Sequence, residues 1–314
     1  MRRQFAGRLV LVIAVGCSVA ACGWVGGLKA RKSFKEANAL YQRQEYKQAA
    51  AHYEEAIAAD PNLTTAYFYL GNSYDQLYKP TRAGEPENDA LLAKAIANYQ
   101  LAADREADPK MKKLALEYLV AAYGPDKMND PEKAEPLIQR MIEIDPTDPT
   151  NYFALAKMYE DSGRYDEAEQ ILIKARDSKP NDSAVWMQLA GFYNRQGDFP
   201  KTIDALTQRA NREPTNPEAF YTIATFYWDK AYRDFRIKDA EKVEYAAAGL
   251  KAVDQAIKLN PEYIDAIVYR GLLLRVQAGL EKDADRQRAQ LKEAEAMQNK
   301  ALDLRKKKAT GVTG

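Results

Sequence analysis

Along residues 149–182, apolar side chains recur with helical spacing, break off, and recur again. Tyr152, Leu155, Ala156 and Tyr159 hold the i, i+3, i+4, i+7 positions of one helix face. Asp161-Ser162-Gly163 interrupts the pattern, and Gly163 suits the left-handed residue that closes a helix. Tyr165, Ala168, Leu172 and Ala175 then mark a second face, which stops at Lys179-Pro180 because proline cannot continue a helix. Small Ala156 and Ala168 suit two helices that cross closely, with tyrosine and leucine filling the space around them. The stretch predicts a helical hairpin of 34 residues.

Looser copies of this hairpin fill most of the chain. Residues 30–63 place Tyr46, Ala49, Tyr53 and Ala56 as the reference places Tyr165, Ala168, Leu172 and Ala175, and stop at Asp60-Pro61. Residues 64–112 open with Tyr67, Leu70, Gly71 and Tyr74, and their second helix, expected over 93–103, follows a polar Pro/Gly-containing loop from Lys79 to Asn88. Residues 113–148 are a degenerate copy marked by Leu116, Leu119, Tyr123, Ala134 and the Asp145-Pro146 stop. After the reference hairpin, residues 183–216 keep Trp186, Leu189, Ala190, Tyr193, Gly197, Phe199 and Leu206. Residues 217–263 carry Phe220, Ile223, Ala224 and Tyr227, then an insertion that is itself helix-compatible, so lengthened helices are expected there. Residues 264–307 close in a long charged helix, and 308–314 read as a disordered tail. Nothing alternates with period two for long enough to make a strand.

The hairpin at 149–182 resembles the tetratricopeptide repeat in its period and in nearly every marked position. The resemblance implies an all-α, right-handed superhelical solenoid of about seven repeats, stacked as one extended domain around a concave groove. In this family the groove is lined by the first helix of each pair, at repeat positions two, five, nine, twelve and thirteen. Matched helix by helix, position five falls on Phe34, Phe68, Glu117, Phe153, Met187, Tyr221 and Val268. Position nine falls on Asn38, Asn72, Ala121, Lys157, Gly191, Thr225 and Leu272, and position twelve on Tyr41, Asp75, Glu160, Asn194, Trp228 and Arg275. The candidate peptide-binding set is therefore Phe34, Asn38, Tyr41, Phe68, Asn72, Phe153, Lys157, Met187, Asn194, Tyr221 and Trp228. An apolar stripe with free asparagine amides suits an extended peptide or an amphipathic helix of a protein partner. The competing reading is that these side chains pack against the next repeat. Chaperone-binding members hold a peptide carboxylate with lysines at position five, where this chain has Phe34 and Phe68, so that clamp is not expected. Tyr221, Trp228 and Tyr232 offer an alternative, a sugar-stacking surface.

The N-terminus changes the picture from fold to address. Arg2, Arg3 and Arg8 precede an apolar run and small residues, so 1–21 reads as a secretory signal, too short to span a bilayer that needs about twenty residues. Val19-Ala20-Ala21-Cys22 resembles the lipobox of bacterial lipoproteins, which implies cleavage before Cys22 and its lipidation. Ala14-Val15-Gly16-Cys17 is a poorer version of the same pattern, so Cys17 is the alternative, and an ordinary cleaved signal is another. Residues 22–29, with Trp24 suited to the membrane interface, then form a tether. Gly23 after Cys22, in place of the Asp that favours inner-membrane retention in enterobacterial lipoproteins, points to the periplasmic face of the outer membrane.

Composition mostly removes possibilities. Lys plus Arg number 46 against 45 Asp plus Glu, and without the first 21 residues the balance turns slightly acidic, which argues against nucleic acid as a partner. Two cysteines and one histidine, His52, supply neither a disulfide framework nor a zinc site, and leave too little for most catalytic triads. Phosphate-cradling glycine loops and metalloprotease or serine-hydrolase motifs are absent, and Asp126 to Asp130 lacks the glycine and terminal glutamate of a calcium loop. No cofactor is expected. The reading is a non-enzymatic, lipid-anchored scaffold of the cell envelope; a glycan-associated enzyme cofactor or cell-wall hydrolase adaptor is the alternative, and a cytoplasmic scaffold with a fortuitously apolar N-terminus a third.

Overall fold

The computed structural model describes residues 26–311. The signal sequence, Cys17, Cys22 and residues 312–314 lie outside that range. Within it the chain divides into two compact units that meet in sequence at Gly163 and Arg164, inside the reference hairpin, where the repeat pattern predicts one continuous domain. The first unit contains α1 (26–42), α2 (Tyr46–Ala59), α3 (Thr64–Leu77) and α4 (Pro86–Arg105). It continues through α5 (Pro109–Tyr123), α6 (Pro131–Ile144) and α7 (Pro149–Asp161). The second contains α8 (Tyr165–Ser178), α9 (Ser183–Arg195), α10 (Phe199–Arg212) and α11 (Pro217–Arg233). It closes with α12 (Asp239–Leu259), α13 (Ile264–Leu280) and α14 (Ala284–Ala309). Among the described residues there is no strand, and no helix is long and apolar enough to cross a membrane.

Proline marks helix starts as well as stops. Pro61, Pro146 and Pro180 follow a helix end, as the pattern predicts, but Pro86, Pro109, Pro131, Pro149 and Pro217 open one. At the first helical position proline loses no hydrogen bond and its fixed φ is already helical. Asp108, Asp130, Asp148 and Asn216 stand just before four of these and accept a hydrogen bond from the first turn. This shifts two boundaries. Helix α4 begins at Pro86, inside the segment expected to be loop, and only a short 3-10 turn at Pro80–Arg82 precedes it. Helix α5 begins at Pro109, four residues ahead of the expected repeat boundary at 113. At the ends, residues 26–29 are already helical where a tether was expected, and α14 runs past Lys308 to Ala309 where a disordered tail was expected.

The turns within hairpins follow the reference. Gly163 and Gly197 close α7 and α9 at φ 73° and 75°, and Gln44 takes the same conformation at φ 62° in the first hairpin. The insertion after α11 is spent on helix, as expected: α11 and α12 reach 17 and 21 residues.

Small residues set the helix crossings. In the first unit Ala49, Ala95, Ala102 and Ala115 are fully enclosed among Tyr53, Tyr99, Leu116 and Leu119. Gly71 of α3 lies so close to α4 that a Cβ there would stand 2.9 Å from the Tyr99 ring and 3.1 Å from the Ala95 carbonyl oxygen. In the second unit Ala224, Ala246, Ala256 and Ala266 do the same around Val253 and Leu273.

One cap also ties two repeats together. Asp148 accepts the Thr150 amide at 2.9 Å, the Thr150 hydroxyl, and the Lys113 ammonium from α5. Partial burial pushes its carboxyl up, but these hydrogen bonds outweigh that and hold it at about 2. An unfolded aspartate titrates near 3.9, so the stabilisation is complete above about pH 4 and is lost as pH falls through about 2. Asp148→Ala is expected to cost about 2 kcal/mol at neutral pH and to flatten the loss of stability between pH 4 and 2. Chemical denaturation across that range measures it; an unchanged acid limb would show that the carboxylate contributes nothing.

Candidate functional site

The first-helix positions that sequence assigned to a groove are largely spent on holding consecutive hairpins together. Tyr69 of α3 sits between Phe34 and Tyr41 of α1, ring centroids 6.2 and 5.7 Å away, and stacks at 16° on Tyr53 of α2. Tyr118 of α5 meets Phe68 of α3 edge-on at 5.2 Å and Tyr99 of α4 at 5.3 Å. In the second unit Tyr269 of α13 sits between Tyr221 and Trp228 of α11, at 5.3 and 5.4 Å. In repeat register these tyrosines occupy position six, and each is received by position five, and in two cases also position twelve, of the preceding first helix. Edge-to-face and tilted rings at these distances are favourable contacts, so each tyrosine acts as a clasp.

This corrects part of the expected groove. Phe68 is 5% exposed and belongs to the core. Asn72 is 2% exposed and accepts a hydrogen bond from the Tyr41 hydroxyl at 2.5 Å. Asn38 accepts one from the Tyr53 hydroxyl at 2.7 Å. Neither asparagine oxygen is the open acceptor that the sequence reading needed, because tyrosines of the same unit reach both. Asp75 at position twelve is likewise paired, with Lys127 at 2.5 Å, and receives the Tyr99 hydroxyl at 3.3 Å. Of the sugar-stacking set, Tyr221 is taken by Tyr263 and Tyr269, while Tyr232 remains 66% exposed and stacks on Trp228 at 13°. His52 stands on α2, half-buried, with Nδ1 3.3 Å from Glu55 and 3.7 Å from Glu36.

Where the clasp is missing, the surface opens. At the step from α5 to α7, position twelve is Gly124 and position six is Ala154, so no ring enters. A cavity of about 330 Å³ remains there, lined by Val120, Tyr123, Gly124, Ala154, Lys157 and Met158, with Ala134 and Ile138 of α6 behind them. Lys157 is exposed and ion-paired with Asp161 one turn on, which puts a paired positive and negative charge at the rim. Phe153 is half-buried on the same helix. At the step from α9 to α11, position six is Thr222, and Met187 at position five stays 39% exposed, its sulfur 3.6 Å from Arg209. Asn194 on α9 is exposed. The candidate site thus contracts to the α5–α7 cavity with Lys157 and Phe153 in the first unit, and to Met187, Asn194, Trp228 and Tyr232 in the second.

Residues 37–77 match a family described as TPR repeat, and residues 127–191 one described as tetratricopeptide repeat. The chain carries tetratricopeptide repeats. The α11–α13 clasp shows the same construction beyond the matched segments. Among solved structures, the C-terminal part of a TPR repeat-containing protein from Cytophaga hutchinsonii is similar in fold, with a TM-score of 0.54 at 16% identity over 86% of this chain and 98% of that one. A tetratricopeptide repeat protein from Parabacteroides merdae aligns over 85% of this chain and 99% of its own at 13% identity and a TM-score of 0.45. MamA aligns over 64% of this chain and 96% of its own at 17% identity and a TM-score of 0.43. No curated protein matches the sequence. Tetratricopeptide repeats are protein-interaction modules, and the fold of this chain is that of an interaction scaffold.

Proposed function

We propose that this chain is a non-enzymatic scaffold, lipid-anchored through Cys22 in the cell envelope, that holds an apolar segment of a partner protein on the first-helix side of its repeats. The observation that carries the binding half is the 330 Å³ cavity between α5, α6 and α7. It is apolar within and has the Lys157–Asp161 ion pair at its rim, it is large enough for one or two bulky side chains, and it exists because Gly124 and Ala154 replace the residues that close other steps. Small, mostly apolar concavities with a few placed polar groups are where proteins take an anchor residue. The anchoring half rests on the lipobox resemblance around Cys22, and the absence of aspartate after it favours the outer membrane.

Ala154 is exposed, so a large side chain there fills the cavity without entering the core. Full-length chain carrying Ala154→Trp, expressed in a bacterial envelope and recovered with its bound proteins after cross-linking, is expected to lose at least about 90% of the partner that the parent chain captures, equivalent to about 1.4 kcal/mol of lost binding. Equal capture by both would remove this cavity from the function. Cys22→Ala is expected to move the chain from the membrane to the soluble fraction, with Cys17→Ala remaining on the membrane; the reverse pattern would assign the anchor to Cys17.

A further inference from the structure

Among the described residues, the receiving positions of the last hairpin meet no clasp tyrosine. Tyr69 enters between positions five and twelve of α1, and Tyr269 between the same positions of α11. The corresponding positions on α13 are Val268 and Arg275, and no helix follows α14 among the described residues. A cleft of about 340 Å³ lies there, floored by Val268, Leu272, Ala294 and Leu302 and flanked by Arg275 and Arg305. Leu302 is 44% exposed at its edge. We propose that this cleft docks a helix of a partner protein that presents an aromatic side chain and, three residues later, a carboxylate.

The aromatic follows from the internal precedents, in which the incoming helix places a tyrosine between positions five and twelve. The carboxylate follows from register and charge. The Tyr41 hydroxyl at position twelve of α1 bonds to Asn72, three residues after Tyr69. In that register the residue three after the incoming aromatic meets Arg275, whose guanidinium already donates to Gln298 at 2.8 Å. Residues three apart share a helix face, so one incoming helix satisfies both demands. Beyond Arg305 the end of α14 continues with Lys306, Lys307 and Lys308, and Asp303 is the one acid between Lys300 and Ala309. That charge also sets aside a second copy as the occupant. The α1 helix has exposed Lys29, Arg31, Lys32 and Lys35, with Lys35 at position six, where the clasp requires an aromatic.

The probe is a helix-stapled peptide with the α3 sequence, residues 64–77, carrying Asn72→Glu, titrated against full-length chain by fluorescence anisotropy. Tyr69→Ala in the peptide, and separately Arg275→Glu or Leu272→Glu in the protein, are each expected to weaken binding at least about tenfold. Peptide with Asn72→Lys is expected to recover affinity for the Arg275→Glu protein. Arg275 is exposed, so its variant tests the site even if Leu272→Glu disturbs folding. No binding, equal binding of the Tyr69→Ala peptide, or displacement by polyglutamate alone would overturn the proposal. So would a concentration-dependent dimer that Arg275→Glu abolishes, since that would make a second copy the occupant. Ala154→Trp, which tests the other cavity, leaves this binding unchanged, so either proposal can fail alone.

Discussion

Tyr69→Ala is expected to cost the first unit about 3 kcal/mol, far more than a tyrosine that only lined a groove would. Its ring meets Phe34, Tyr41, Tyr53 and Phe68, with centroids between 5.3 and 6.2 Å. Each such aromatic pair is worth about 0.5–1.5 kcal/mol beyond the area it buries, and truncating an aromatic in a core costs about 3–5 kcal/mol. Partial exposure places Tyr69 at the lower end. Because repeats are stabilised by nearest-neighbour interfaces, the loss concentrates at the junction of the first two hairpins. Urea denaturation gives the size, and amide hydrogen exchange is expected to show α1 and α2 losing protection before α5. Tyr69→Phe keeps the ring and is expected to stay within about 0.5 kcal/mol of the parent. A loss below about 1 kcal/mol for the alanine variant would mean the rings are neighbours without being a clasp.

The clasp also explains what sequence could and could not show. Helical periodicity, the glycine at hairpin turns and the alanines at crossings located the repeats, because these features depend on residues close in sequence. The fate of a first-helix side chain depends on what the next first helix brings to it. Phe34 and Phe68 look alike as position-five aromatics, yet Phe34 is half-buried and Phe68 is core. Met187 at the same position stays open because its successor offers Thr222. The signal was present in the recurrence of tyrosine at 69, 118 and 269, one residue after the position assigned to the groove. The stops at Pro61, Pro146 and Pro180 stand, but the starts at Pro86 and Pro109 fell outside the expected boundaries for a related reason. Asp-Pro reads as a stop after apolar periodicity and as a capped start before it, and in Asp145-Pro146-Thr147-Asp148-Pro149 both occur within five residues. The Gly124 and Ala154 pair carries no local sequence signal, because a cavity is the joint absence of two side chains on different helices.

The α5–α7 cavity depends on a loop, which backbone hydrogen bonds to the end of α5 close on itself and one ion pair ties to α3. Lys127 reaches from the 124–130 turn to Asp75 on α3, with side-chain exposures of 20% and 9%. Burial, and then the Asp75 carboxylate beside it, pushes the Tyr99 phenol well above its ordinary range, so Tyr99 stays a donor to Asp75. Removing one partner of a buried pair costs about 3–5 kcal/mol, whereas replacing both by neutral groups is often nearly neutral; here the pair is partly exposed and Asp75 would keep the Tyr99 hydroxyl, which places the cost at the lower end. Lys127→Met is therefore expected to destabilise the first unit by about 3 kcal/mol, and adding Asp75→Asn to recover about 1–3 kcal/mol of that. The same turn supplies Gly124, Pro125 and Asn129 to the 330 Å³ cavity, and Lys127 and Met128 to a second, of about 670 Å³, against α4. Loosening it changes the shape of both, so Lys127→Met is expected to lower partner capture even at a temperature where the chain is still folded. The double variant, which restores stability without restoring the tie to α3, separates the two roles. If it recovers stability but not capture, the ion pair holds the binding surface in shape; if it recovers both, the pair serves folding alone.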